Sequence, residues 1–95
     1  MISFTVRMKF EEKDRAAVEE ILRQLGPASR QEPGCVSYIA HFVEGEPATV
    51  LIYEQYKDRE AADAHRQSPH FTKYAVCGLY QKMLERSRED LVALA

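Results

Sequence analysis

Residues 49–56, Thr-Val-Leu-Ile-Tyr-Glu-Gln-Tyr, are apolar on both faces of an extended chain. Val50, Ile52 and Tyr56 fall on one face, Leu51 and Tyr53 on the other. Successive side chains of a strand point to opposite sides, so a strand of this kind needs a cover on each side. One layer of helices supplies one cover. The simplest second cover is the sheet of another copy, so the pattern predicts a homodimer joined through the sheet face. Chain length points the same way. Ninety-five residues make one domain, residues 1–95, and at this size only roughly 60–65% of the unfolded surface is buried on folding.

The rest of the chain supplies a sheet and its helices. Ile2, Phe4, Val6, Met8 and Phe10 alternate with Ser3, Thr5, Arg7 and Lys9, the period of a strand with one apolar face. From about Glu12 to Gln31, Val18, Ile21, Leu22, Leu25 and Ala28 recur at helical spacing. Gly26-Pro27 predicts a kink or break in that helix, and Glu32-Pro33-Gly34 ends it. A second strand is expected over about Cys35–Val43, with Val36, Tyr38, Ala40 and Phe42 on one face. The turn Glu44–Pro47 joins it to the third in a hairpin. Asp58 suits a helix cap, with Glu60 in the first turn, for a helix reaching about Gln67. Ser68-Pro69 restarts a helix whose stripe is Phe71, Tyr74, Ala75, Gly78 and Leu79, reaching Leu84. Beyond the charged run Glu85–Asp90, Leu91–Leu94 reads as a short last strand. The order β-α-β-β-α-β predicts an α+β ferredoxin-like fold with a four-stranded antiparallel sheet.

Composition removes several function classes. The chain is 45% hydrophobic and 29% charged, ordinary for a folded domain. A net charge of −2 without a dense Lys/Arg stripe gives no footprint for nucleic acid. No apolar run approaches the roughly 20 residues of a membrane span, and the start Met1–Arg7 lacks a signal-peptide pattern. A cytoplasmic protein without a membrane partner is expected. Cys35 and Cys77 fall in different elements without metal-type spacing and read as two small buried hydrophobes. No His/Cys/Asp/Glu spacing argues for a metal, and neither a nucleophile elbow nor a phosphate-cradling glycine loop is found.

Four segments in order, Glu32-Pro33-Gly34-Cys35, Tyr53-Glu54-Gln55-Tyr56, Asp58-Arg59-Glu60-Ala61 and His65-Arg66-Gln67-Ser68-Pro69-His70-Phe71, resemble the antibiotic biosynthesis monooxygenase family. The resemblance implies a dimeric α/β barrel of two facing ferredoxin-like sheets, with a pocket in each subunit between helices and sheet. It also implies oxidation of quinols or polycyclic phenols by molecular oxygen without a cofactor. Relatives degrade heme or isomerise small sugar-derived signals. The chain departs from some of them in having no tryptophan, which related heme-degrading and some phenol-oxidising proteins place in the pocket.

Oxygen insertion without a cofactor needs a substrate anion, and so a base working near neutral pH in an apolar pocket. His65 is the first candidate. Ala61, Ala64, His65 and Ser68 share a small-residue helix face, which either approaches the sheet closely or leaves room for a ligand. A buried structural histidine is the alternative. His70 is second, in the first turn of the restarted helix, where the dipole disfavours imidazolium. Its alternative is a residue that fixes the helix junction. Glu54 interrupts the apolar face of the third strand and must pair or shift its pKa. It either orients a histidine or serves as a structural partner. Tyr38, Phe71 and Tyr74 suit the walls of an aromatic-binding pocket or plain core. Arg66 and Arg7 suit an anionic substrate or surface ion pairs, and His41 reads as an edge residue. Three functions stay open: a cofactor-independent oxygenase on a quinol-type ligand, an isomerase on a small oxygenated metabolite, and a non-catalytic dimer binding a hydrophobic ligand or heme.

Overall fold

A computed structural model describes residues 1–95. β1 (Ile2–Lys9) keeps its alternation: Phe4, Val6 and Met8 are buried, while Ser3, Thr5 and Arg7 lie on the other face. A 3₁₀ turn at Glu12–Asp14 leads into α1 (Arg15–Arg30). There Val18 and Leu25 are buried, and Ile21 and Leu22 pack against the core. α1 runs through Gly26-Pro27 unbroken, against the predicted break. Pro27 is exposed and sits in the last turn. The helix ends at Arg30, and the Gln31 N–H bonds back to the Pro27 carbonyl at 3.2 Å. The missing proline N–H costs one bond near a helix end, and burial of Leu25 and Ser29 on either side holds the turn.

β2 (Cys35–Phe42) and β3 (Thr49–Tyr56) form the expected hairpin, and the sheet order is β2-β3-β1 followed by a fourth strand, β4 (Glu85–Leu91). All neighbouring pairs are antiparallel. Tyr38 faces the core, but Val36 does not. The register jumps between Cys35 and Ser37, leaving Val36 as the extra residue of a bulge and 49% exposed. β4 lies earlier than predicted and carries the charges themselves, so Leu91–Leu94 is not the last strand. β4 is an edge strand that meets β1 alone, so it needs backbone pairing rather than two buried faces. Its helix-side residues are Arg86, Arg88 and Asp90, opposite Met8, Val6 and Phe4. The Arg88 guanidinium carbon stands 3.8 Å from the centroid of the Phe4 ring, a cation–π contact that a charged run does not announce.

α2 (Arg59–Arg66) begins as read from Asp58, whose Oδ1 accepts from the Ala61 N–H at 2.8 Å. Ser68 also caps as expected, accepting from the Phe71 N–H at 3.2 Å. The restarted helix takes the wider π form over Phe71–Leu79 before the short α3 (Tyr80–Lys82); no signal in the sequence distinguishes that form. Ala75 and Leu79 are buried within it, whereas Leu84 is 60% exposed and already bonded to β1 through the Lys9 carbonyl. Gly78 lets this segment close on α1, since a Cβ there would stand 3.2 Å from Ile21 Cδ1. Both cysteines are free, and Cys77 is exposed rather than buried. The core lies between one helical layer and the sheet face bearing Val6, Val50, Ile52 and Tyr56. Leu51, Tyr53 and Ile39 occupy the opposite face, and Ile39 is 48% exposed. No helix is long and apolar enough to cross a membrane.

Candidate active site

The site is assembled by one close approach. Gly34, in the turn after α1, lies so near α2 that a Cβ on it would stand 2.3 Å from the Ala61 Cβ. Two minimal residues therefore meet where the turn crosses the helix. The Gly34 carbonyl fixes the crossing by accepting from the Lys57 N–H at 2.9 Å. One helical turn beyond Ala61 comes His65, so the turn delivers Glu32 to the histidine. This resolves the small-residue face of α2: at Ala61 it serves close packing, and its histidine faces the interior.

His65 is buried and sits among rings. Phe71, Tyr56, Tyr38 and His70 have ring centroids 5.2, 5.3, 5.6 and 6.1 Å away. Its Nδ1 lies 2.8 Å from Glu32 Oε2, and the same oxygen lies 2.5 Å from His70 Nε2. An ionised carboxylate only accepts, so both imidazoles donate to Glu32. In a neutral His65 this leaves the lone pair on Nε2. That nitrogen is turned toward Glu54 Oε1, 3.7 Å away. Tyr56, two residues along the same face of β3, donates its hydroxyl to Glu54 Oε1 at 2.7 Å.

Burial dominates the electrostatics here. It pushes the Glu54 carboxyl above its ordinary value, against the opposing pull of the Tyr56 hydroxyl, His65, Arg88 and Arg86. Burial likewise raises the Tyr56 and Tyr38 phenols, with the Glu54 charge adding to both. Neither tyrosine gives up its proton readily, so both act as donors or walls. A cavity of about 50 Å³ opens beside this cluster. Tyr38, Glu54, His65 and Phe71 line it, with Arg66, Arg86 and Arg88 also in its wall.

Five of the six candidate residues thus meet: His65, His70, Glu54, Tyr38 and Phe71. Tyr74 packs against the core but is not in the cavity wall. Arg7 is taken by Glu46 at 2.8 Å on the other side of the sheet, and Arg66 pairs with Asp63. His41 bonds to the Leu51 carbonyl at 3.0 Å on exposed β2, as an edge residue does. Sequence reasoning missed Glu32, which reads as part of a turn, and Arg86 and Arg88. Tyr56 was legible, because period two places its ring on the face of Glu54.

The chain was compared with known proteins. The model of the family described as antibiotic biosynthesis monooxygenase matches residues 1–76. Rv0793 of Mycobacterium tuberculosis, provisionally named a monooxygenase, is 33% identical over 60 residues, 63% of this chain and 58% of the relative. An uncharacterised protein of Synechocystis, sll1783, is 41% identical over 46 residues, 48% of this chain and 31% of that protein. The chain therefore spans less than two thirds of these curated relatives. A solved structure from Nitrosomonas europaea, provisionally named an antibiotic biosynthesis monooxygenase, superposes with a TM-score of 0.92. All of both chains is covered, at 24% identity, a level that shows the shared fold.

Proposed function

The chain belongs to the antibiotic biosynthesis monooxygenase family, and from that premise we propose that it oxidises a quinol or related phenol with molecular oxygen, His65 serving as the base. The observation that carries the reading is the polarised histidine. Glu32 holds Nδ1–H at 2.8 Å, so the basic Nε2 of a neutral ring looks toward the cavity. A carboxylate on the far nitrogen orients the ring and stabilises the imidazolium formed when Nε2 takes a proton. Tyr38 and Phe71 supply aromatic walls. Arg88 and Arg86 place positive charge beside the anion that results. The reaction balances without a cofactor: a hydroquinone and oxygen give a hydroxyquinone and water, and the substrate supplies all four electrons.

The cavity's size bears on the substrate. Pockets that enclose drug-sized ligands hold about 300–1,000 Å³, against about 50 Å³ here. A single-ring hydroquinone demands less opening than a polycyclic one. Admission would require lining side chains, Phe71 and Tyr80 among them, to move apart. The small volume also favours a second reading, proton transfer on a small oxygenated metabolite by the same histidine. An oxygen electrode separates the two. Wild type should consume oxygen saturably with some member of a hydroquinone panel, and His65→Gln should lose about 10²–10⁴-fold of the rate. Equal rates in the two proteins refute the base assignment.

The assembly belongs to the same proposal: a second copy covers Leu51, Tyr53 and Ile39. Light scattering should give a dimer at micromolar concentration, and a stable monomer would contradict it.

A further inference from the structure

We propose that Glu32, His65 and His70 form a binding site for a divalent transition-metal ion of the zinc class. Glu32 Oε2, His65 Nδ1 and His70 Nε2 lie within 4.8 Å of one another. They arrive from three places: the turn after α1, the last turn of α2, and the residue before the π-helix. Two imidazoles and a carboxylate are a regular donor set for zinc that leaves one position open. Sequence spacing hides the set, because Glu32 stands 33 and 38 residues from its partners.

Two observations outside the donor atoms support it. The second oxygen of Glu32, Oε1, is buried and has no hydrogen-bond partner. A buried carboxylate oxygen without a donor is costly, and a cation would offset that cost. The other nitrogen of His65 faces Glu54 Oε1 at 3.7 Å, and Tyr56 holds Glu54 at 2.7 Å. Histidines that ligate a metal usually give their remaining N–H to a carboxylate, which fixes ring and tautomer. Glu54 stands where that carboxylate belongs.

Binding requires two adjustments. Each neutral imidazole moves its proton to the other ring nitrogen, so His65 then carries it on Nε2, toward Glu54, and no net proton is released. The two nitrogens, 2.8 and 2.5 Å from Glu32 Oε2, must move out to about 3.3 Å from it, and from within 4.8 Å of each other must come to a similar separation, around an ion about 2.0–2.2 Å from each donor. Side-chain movements of about 1 Å accomplish this. The way in runs past His70, whose side chain is 21% exposed. A bound ion removes the free lone pair of His65, so metal loading would inhibit the base proposed above. The metal site itself stands independently of that activity.

Chelator-treated wild-type protein titrated with Zn²⁺ in a calorimeter, with Co²⁺ as spectroscopic probe, tests the site. The expected result is one ion per chain and visible Co²⁺ bands of tetrahedral type. His70→Asn and Glu32→Gln should weaken binding at least about 10-fold. Glu54→Gln removes no ligand, yet should weaken it about 10–100-fold. His41→Ala, on exposed β2, should bind as wild type does. Circular dichroism checks each fold, and His70→Asn carries the test if Glu32→Gln fails to fold. A folded wild type without a one-to-one site, or unchanged affinity in His70→Asn, overturns the proposal. Neither result involves oxygen or a phenol, so the metal site and the oxygenase reading fail separately.

Discussion

Replacing Gly34 by alanine tests how the site is assembled. The added Cβ would stand 2.3 Å from the Ala61 Cβ, where ordinary contact begins at 3.4 Å. The turn and α2 must therefore part by about 1.1 Å, and overpacking of this kind costs about 1–3 kcal/mol. Backbone strain is absent, because Gly45 is the residue with positive φ and Gly34 is not. Alanine even restricts the unfolded chain, which returns about 0.4–1 kcal/mol. The net loss is about 1–2 kcal/mol, or a Tm lower by about 4–16 °C for a domain of this size. Urea and thermal unfolding measure it. The partner change Ala61→Gly removes the opposing methyl group at a helix-propensity cost of about 1 kcal/mol. Combined with Gly34→Ala it should cost clearly less than the two single changes added together. A Gly34→Ala protein as stable as wild type, or strictly additive costs in the pair, would refute the close approach that brings Glu32 to His65.

Two further outcomes follow from particular residues. Burial raises the folded-state pKa of Glu54 above 4.5, so this group's stabilising contribution is full below the unfolded value. It is lost as pH rises through the folded one. Glu54→Gln should remove that part of the decline, and its urea midpoint relative to wild type should climb as pH rises from 4.5 toward neutrality. Pro27→Ala should restore the bond to the Arg23 carbonyl and raise stability by about 1–2 kcal/mol in urea unfolding, the helix being unbroken there already.

Patterns that repeat locally were legible in the sequence, and juxtapositions were not. Alternation in residues 2–10 and the two-sided β3 yield the sheet, and Asp58 and Ser68 mark their helices by capping chemistry. His65 could be found because an alanine-rich helix face with one histidine is unusual. Glu32 could not, because Pro33-Gly34 accounts for it as a turn and its role exists only once Gly34 meets Ala61. β4 was misplaced because hydrophobicity is the wrong signal for an edge strand. Arg86 and Arg88 stand on an exposed strand, yet Arg88 lies over the Phe4 ring and both reach the cavity wall, which a charged run does not announce. Val36 fits the alternation of the sequence but is itself the extra residue of a bulge and turns outward, and a bulge leaves no mark in a period-two pattern. Pro27 breaks helices in general, but near a helix end with buried neighbours the helix continues through it at the cost of one bond.

Labelled oxygen tests the proposal that His65 starts a reaction in which oxygen enters the substrate. A hydroquinone that supports oxygen uptake is turned over under ¹⁸O₂, and the product is weighed by mass spectrometry. One ¹⁸O atom per hydroxyquinone is expected, the other leaving as water, and His65→Gln should lose the labelled product. A rearranged but unlabelled product formed without oxygen consumption would contradict the proposal and identify the histidine as the base of an isomerase.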